Sequence, residues 1–206
     1  MRIGLDFDNT IVSYDALFHK VAVERGAIPA DLPGTKIAVR EHLRASGRED
    51  VWTEMQGHVY GARMDEAAAY PGALEFLKWA AGQATVFIIS HKTRYPFAGA
   101  RHDLHQAARS WIEGHLKHGE LALVKPENVF FELTQKEKIE RIGTTACRYY
   151  VDDLPEILLS PDFPVDAERI LFDPEGHHRG DAGPLRPARS WQDLLRYFQQ
   201  ECRTTR

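Results

Sequence analysis

The sequence predicts an α/β protein built on a doubly wound parallel sheet, with a small α-helical module inserted after the first strand. Three observations predict it. Short continuous apolar runs alternate with amphipathic stretches along most of the chain, as they do where crossover helices bury both faces of a sheet. Several of those runs end in carboxylates or a hydroxyl, and open parallel sheets bind ligands at the carboxyl ends of their strands. Between residues 13 and 70 there is no convincing strand, only helical patterns.

Each element follows in order. The first apolar run, Arg2–Leu5, leads into Asp6-Phe7-Asp8-Asn9-Thr10. Helical candidates follow at residues 14–25, 37–45 and 51–63, separated by a Pro- and Gly-rich stretch from Gly26 to Gly34 and by Ser46-Gly47. Pro71-Gly72 opens a helix over 72–81, with Leu74, Leu77, Trp79 and Ala80 at helical spacing. Residues 84–89 are β-branched and aromatic and end at Ser90. A helix over 104–117 places Ala107, Ala108, Trp111, Ile112 and His115 on one side. A short third run at 129–131 precedes a helix over 135–142 that turns Ile139 and Ile142 inward. The fourth run, 148–151, ends at Asp152-Asp153, and Pro155 stands where the first turn of a helix tolerates proline. A fifth run at 169–172 ends at Asp173, and a helix over 191–198 closes the pattern. The reading divides the chain into a core of residues 1–12 and 71–206 and a helical module of residues 13–70.

Composition narrows the function classes. The 206 residues are 43% hydrophobic and 27% charged, enough for a buried core. A net charge of -4 argues against a nucleic-acid polymer or an anionic membrane as partner. A small anionic substrate remains compatible, because one metal or a few local cations override a mild global charge. Cys147 and Cys202 have no zinc spacing or disulfide framework, and Cys147 reads as a small core residue. No apolar run approaches the length of a bilayer span, and acids follow Leu5 too soon for a secretory signal. A cytoplasmic protein without a membrane partner is the expectation.

The chemistry sits at the strand ends. Asp6, Asp8, Asp152 and Asp153 converging on one edge would repel one another unless a cation lay among them. Oxygen donors of this kind suit Mg2+, which keeps some waters and is completed by a substrate phosphate. An aspartate there also serves as a nucleophile through an aspartyl phosphate, and a second acid two residues on serves as general acid and base. A lysine near the phosphate would offset the negative charge, and Lys136 and Lys138 both stand at the start of the helix before the fourth strand.

Taken together, Asp6-x-Asp8-x-Thr10, Phe87-Ile88-Ile89-Ser90, the Lys136/Lys138 pair and Tyr150-Val151-Asp152-Asp153 resemble, in order, the four motifs of the haloacid-dehalogenase-like phosphatases. The resemblance spans residues 2 to 153 and implies a Rossmann-like core. It also implies a role for each residue. Asp6 is nucleophile and metal ligand. Asp8 is general acid and base and meets the metal through its main-chain carbonyl. Thr10 supports the loop, and Ser90 bonds the transferring phosphoryl group. Lys138 neutralises charge, with Lys136 as the competing candidate for the phosphate. Asp152 and Asp153 bind Mg2+. The inserted helices correspond to a cap that selects substrate, with Arg40, His58, Tyr60 and Arg63 as polar candidates. The implied activity is Mg2+-dependent hydrolysis of a small phosphomonoester metabolite through an aspartyl phosphate. The alternatives are a phosphomutase or phosphotransferase on the same scaffold, or a non-catalytic phosphate-binding module. Asp8 argues against dehalogenase and phosphonate-cleaving relatives, which replace that acid.

Other polar residues read less strongly. His91 and Lys92 follow Ser90 directly and are candidates for substrate contact, with His91 taken as phosphate-binding. The pairs His102/His105 and His115/His118 have helical spacing for a metal but lack a third ligand nearby in sequence. Asp173 to His178 reads as a loop, and Trp79 and Trp111 as core.

Overall fold

The computed structural model describes residues 1–178 and 183–204. The remaining six positions of the range 71–206 lie outside the described residues. Six strands form one parallel sheet: β1 (Arg2–Leu5), β2 (Thr85–His91), β3 (Val129–Glu132), β4 (Tyr149–Asp152), β5 (Glu168–Phe172) and β6 (Arg186–Ala188). Their order is β6-β5-β4-β1-β2-β3, and every pairing is parallel. The helices, in chain order, are α1 (Asp15–Glu24), α2 (Lys36–Ala45), α3 (Glu49–Tyr60), α4 (Ala73–Ala81), α5 (Leu104–His115), α6 (Gln135–Thr144), α7 (Pro155–Leu158) and α8 (Trp191–Thr204).

The chain divides into two compact units. The first holds Met1–Ile11, Ala69–His91 and Leu116–Arg206; the second holds Val12–Ala68 and Lys92–His115.

In the first unit the sheet carries apolar cores on both faces, as a doubly wound fold requires. Adjacent residues of a strand point to opposite faces, and Tyr149 and Tyr150 divide accordingly. Tyr149 packs edge-on against Phe198 of α8, which meets Phe76 of α4 at 5.5 Å. Tyr150 joins Ile139 and Ile142 of α6 with Phe87, Ile157, Leu158 and Phe163 on the other face. The sheet reverses its winding beside β1. From β1 the chain runs outward to β2 and β3, then returns to β4 on the other side of β1 and proceeds to β5 and β6. The crevice at the carboxyl ends of β1 and β4 is therefore the topological switch point. The pairing Leu5↔Val151 brings Asp6 and Asp152 there side by side.

The sixth strand is absent from the sequence reading. It is three residues long and contains Pro187, which reads as a turn. The strand lies at the sheet edge and pairs only with β5, and an edge strand tolerates a missing N–H.

The second unit is helical. Phe18 of α1 packs on Trp52 of α3 at 4.9 Å, and Tyr60 stands edge-on to Tyr14 at 4.8 Å. The sequence pattern predicts this module over residues 13–70, with α5 in the core. In the structure Lys92–His115 packs within the helical unit instead. The reason is close approach along one face of α3. A Cβ at Gly57 would lie 2.6 Å from Pro96 Cβ, and one at Gly61 would lie 2.5 Å from His102 Cβ. Trp111 of α5, buried, donates its indole N–H to the Ala67 carbonyl at 2.8 Å. No helix among the described residues is long and apolar enough to cross a membrane.

Candidate active site

The loop after β1 is tightly held. The Asp6 N–H still donates to Val151 at 2.8 Å, extending the line of β1 along β4. Phe7 turns inward, fully buried, and meets Phe131 edge-on at 5.5 Å. Asn9 has a φ of 58°, a left-handed conformation that asparagine tolerates better than most residues. The Ile11 N–H then closes back on the Phe7 carbonyl at 3.0 Å. Thr10 is fully buried, and its carbonyl accepts from the Trp191 indole at 3.1 Å. Among the described residues its hydroxyl oxygen has no hydrogen-bond partner.

Two donors converge on one oxygen of Asp6. Ser90, at the end of β2, donates its hydroxyl to Asp6 Oδ1 at 2.8 Å. Lys138 Nζ donates to the same atom at 2.7 Å. Among the described residues Asp6 Oδ2 receives no hydrogen bond. The carboxylate is thus oriented through one oxygen and open at the other.

Lys138 reaches the group because of how α6 begins. Thr134 caps the helix, accepting from the Glu137 N–H at 3.1 Å, while its hydroxyl donates to the Glu137 carboxylate at 3.0 Å. A Thr-x-x-Glu start of this kind sets the helical phase. Lys138, Ile139 and Ile142 then face the sheet. Lys136 falls outside that face, is exposed, and stands 3.9 Å from Glu140. The structure therefore brings Lys138 to Asp6 and leaves Lys136 at the surface.

Lys138 Nζ also stands 2.7 Å from Asp152 Oδ2, although that oxygen makes no hydrogen bond of regular geometry. Asp152 Oδ1 accepts from the Leu154 N–H at 3.0 Å. Burial, with the Asp6 charge added to it, pushes the Asp152 carboxyl up to about 7 against the pull of Lys138. Burial also opposes the charge on Lys138, but Asp152 and Asp6 outweigh it and hold the ammonium above its ordinary range.

Asp6, Asp152 and Asp153 each offer a carboxylate oxygen, all within 4.8 Å of one another, and they are the one such cluster among the described residues. All donors are hard oxygens, and the one ammonium beside them pairs with two of the three acids, so the set fits a divalent cation such as Mg2+. The half-buried Asp8 lies outside this carboxylate cluster.

The remaining predicted residues make contacts of their own. Ser90 points to Asp6, so strand alternation turns His91 to the opposite face. There His91 is exposed, with Nε2 3.1 Å from the Leu133 carbonyl oxygen. In the helical unit Arg63 pairs with Glu24 at 2.7 Å and also with Glu66, and Arg40 pairs with Glu41 at 3.0 Å. Burial, reinforced by Arg25 and Arg63, holds the His58 imidazole below its usual range. Lys92 is buried, with Nζ 5.0 Å from the centre of the Tyr60 ring. His105 faces the Lys92 carbonyl at 2.8 Å, and His115 stacks on Trp111 at 4.6 Å. The Asp173 carboxylate accepts from the His177 and His178 N–H groups at 2.8 and 3.1 Å, closing that loop on itself. Cys147 is buried, which pushes its thiol up, and Trp79 is half-buried.

The sequence pattern assigns no role to Gly4 or to Tyr150, although Tyr150 stands within the fourth motif. A glycine inside a strand often marks a close approach, and that was the available signal. A Cβ at Gly4 would lie 2.5 Å from Tyr150 Cδ2.

No protein-family model matches the sequence, and no curated protein matches it. Solved structures do match. One is a protein of Burkholderia xenovorans LB400 assigned to the haloacid dehalogenase-like hydrolases, 14% identical with a TM-score of 0.57, the match covering 97% of this chain and 96% of that one. A second is a haloacid dehalogenase family hydrolase of Deinococcus radiodurans R1 with bound phosphate and sodium, 16% identical with a TM-score of 0.56, covering 98% and 95%. A third is a haloacid dehalogenase-like family hydrolase of Xanthomonas campestris, 10% identical with a TM-score of 0.55, covering 97% and 95%. At these identities the likeness shows fold: the chain carries the haloacid dehalogenase-like hydrolase fold over nearly its whole length.

Proposed function

We propose that this chain is a Mg2+-dependent phosphatase that hydrolyses a small phosphomonoester metabolite through an aspartyl phosphate on Asp6. The observation that carries the reading is the state of Asp6: Oδ1 is held by Ser90 and Lys138, and among the described residues Oδ2 receives no hydrogen bond. A nucleophile needs this combination of fixed orientation and one uncommitted oxygen. The bound phosphate in the Deinococcus radiodurans structure supports a phosphate-handling site on this fold.

Asp6, Asp152 and Asp153 would hold the Mg2+, with the main-chain carbonyl of Asp8. The metal supplies charge neutralisation for the phosphoryl oxygens. Asp6 Oδ2 attacks phosphorus as the bond to the ester oxygen breaks. Asp8 gives that oxygen its proton, and the alcohol leaves. Asp8, now a carboxylate, takes a proton from water as the water oxygen attacks phosphorus. Orthophosphate departs and the Asp6 carboxylate is restored. Ser90 and Lys138 keep Asp6 aligned and offset the charge that gathers on the phosphoryl group.

The test is phosphate release from nucleotides, sugar phosphates and 4-nitrophenyl phosphate, with Mg2+ and with chelator. Release that needs Mg2+ and disappears in a folded Asp6→Asn variant is the expected result. Undiminished release from that variant would remove Asp6 as nucleophile.

A further inference from the structure

Tyr150 lies beneath the residues just described, and none of the four motifs gives it a role. It is fully buried. Its register partner on β1 is Gly4, and only the missing side chain there lets the ring lie across β1. Having crossed, the phenol donates to the Ile89 carbonyl on β2. Ile89 immediately precedes Ser90, so the accepting carbonyl belongs to the peptide whose nitrogen is that of Ser90. The pairing of β1 with β2 ends at Leu5↔Ile88, so Tyr150 holds β2 at the first residue past that pairing. The face of the same ring lies 5.8 Å from Lys138 Nζ, within the range in which an ammonium is attracted to an aromatic face. One side chain therefore supports both groups that donate to Asp6 Oδ1.

We propose that Tyr150 is a positioning residue for phosphoryl transfer: its hydroxyl places Ser90 and its ring places Lys138, so that both donors meet the same oxygen of Asp6. The proposal rests on the phosphatase reading above and adds to it. Tyr150 touches no reacting atom. It acts through Ser90 and Lys138, so its loss alters the rate of the chemical step more than the binding of substrate.

The experiment compares wild type with Tyr150→Phe, which removes only the hydroxyl, and Tyr150→Leu, which also removes the ring. Turnover of 4-nitrophenyl phosphate is measured with Mg2+, and Asp6→Asn is carried alongside. In parallel, protein labelled with 13C-lysine reports the Lys138 side-chain resonance, identified by its absence in Lys138→Met. Tyr150→Phe should lower kcat about tenfold or more with KM changed less than about threefold, since small misplacements near a reacting centre are costly in rate. Tyr150→Leu should lower kcat further. The Lys138 resonance should move slightly in Tyr150→Phe and strongly in Tyr150→Leu, where the ring current is gone. Wild-type kcat and an unmoved resonance in Tyr150→Phe would overturn the proposal. An active Asp6→Asn variant, or a wild type that turns nothing over, would overturn the phosphatase reading instead. The resonance would still decide whether Tyr150 positions Lys138.

Discussion

The ammonium of Lys138 stands 2.7 Å from Asp6 Oδ1, although the two residues are 132 positions apart in the chain. The same ammonium stands 2.7 Å from Asp152, so a single cation keeps two buried carboxylates in place. Replacing it with methionine leaves those charges without their partner. Lys138→Met should therefore lose about 3 kcal/mol of stability, the scale expected when one member of a buried ion pair is removed. Lys136→Met should change stability by less than about 0.5 kcal/mol, because its pair with Glu140 is exposed. Urea unfolding of the two variants reads the difference directly, and equal losses would contradict the assignment.

Gly4 tests the packing under the site. A Cβ there meets Tyr150 Cδ2 at 2.5 Å and Cys147 Sγ at 2.9 Å, both in the buried core. Neither neighbour is the free end of a flexible chain. Gly4→Ala should cost about 1–3 kcal/mol, the range for an overpacked core. A lowered denaturant midpoint at unchanged slope is the expected signature.

Thr134 tests the start of α6. Its side chain accepts the Glu137 N–H at 3.1 Å, and Lys138 sits one residue beyond. Thr134→Ala should cost about 1 kcal/mol through the lost cap. Thr134→Ser, which keeps the hydroxyl, should recover most of it. A variant pair with equal midpoints would show that the cap contributes nothing.

Metal binding is measurable without turnover. Asp6, Asp152 and Asp153 gather their oxygens within 4.8 Å, and a cation bound only by the folded state raises stability by about 2.7 kcal/mol at a hundred times its Kd. Mg2+ should raise the thermal midpoint of wild type relative to chelator. Asp152→Asn should abolish most of that rise, and a rise of equal size in this variant would place the metal elsewhere.

The alternation of buried runs and helices, and the polar residues at the run ends, were legible because they are local. A strand covered on both faces must be apolar throughout, and five of the six strands carry that mark. Asp6, Ser90 and Asp152 were legible for the same reason, since each directly ends or follows such a run. The inserted helices were legible as helices, but not that α5 packs with them. That depends on Gly57 and Gly61 opening one face of α3, a steric match with no sequence period.

What the chain's order of residues determined by itself was therefore the layered α/β class and the sheet edge at which its acids gather. Tertiary structure decided the rest, because each remaining question turned on distance between remote residues. It decided that Lys138 rather than Lys136 meets Asp6, since the Thr134 cap and the sheet together select one face of α6. It decided that Asp6 is held through Oδ1, since that needs β2 and α6 to converge on one atom. It admitted β6 to the sheet despite Pro187, since an edge strand pairs on one side only. And it laid Tyr150 across Gly4, since only the pairing of β1 with β4 sets a bare backbone beneath that ring.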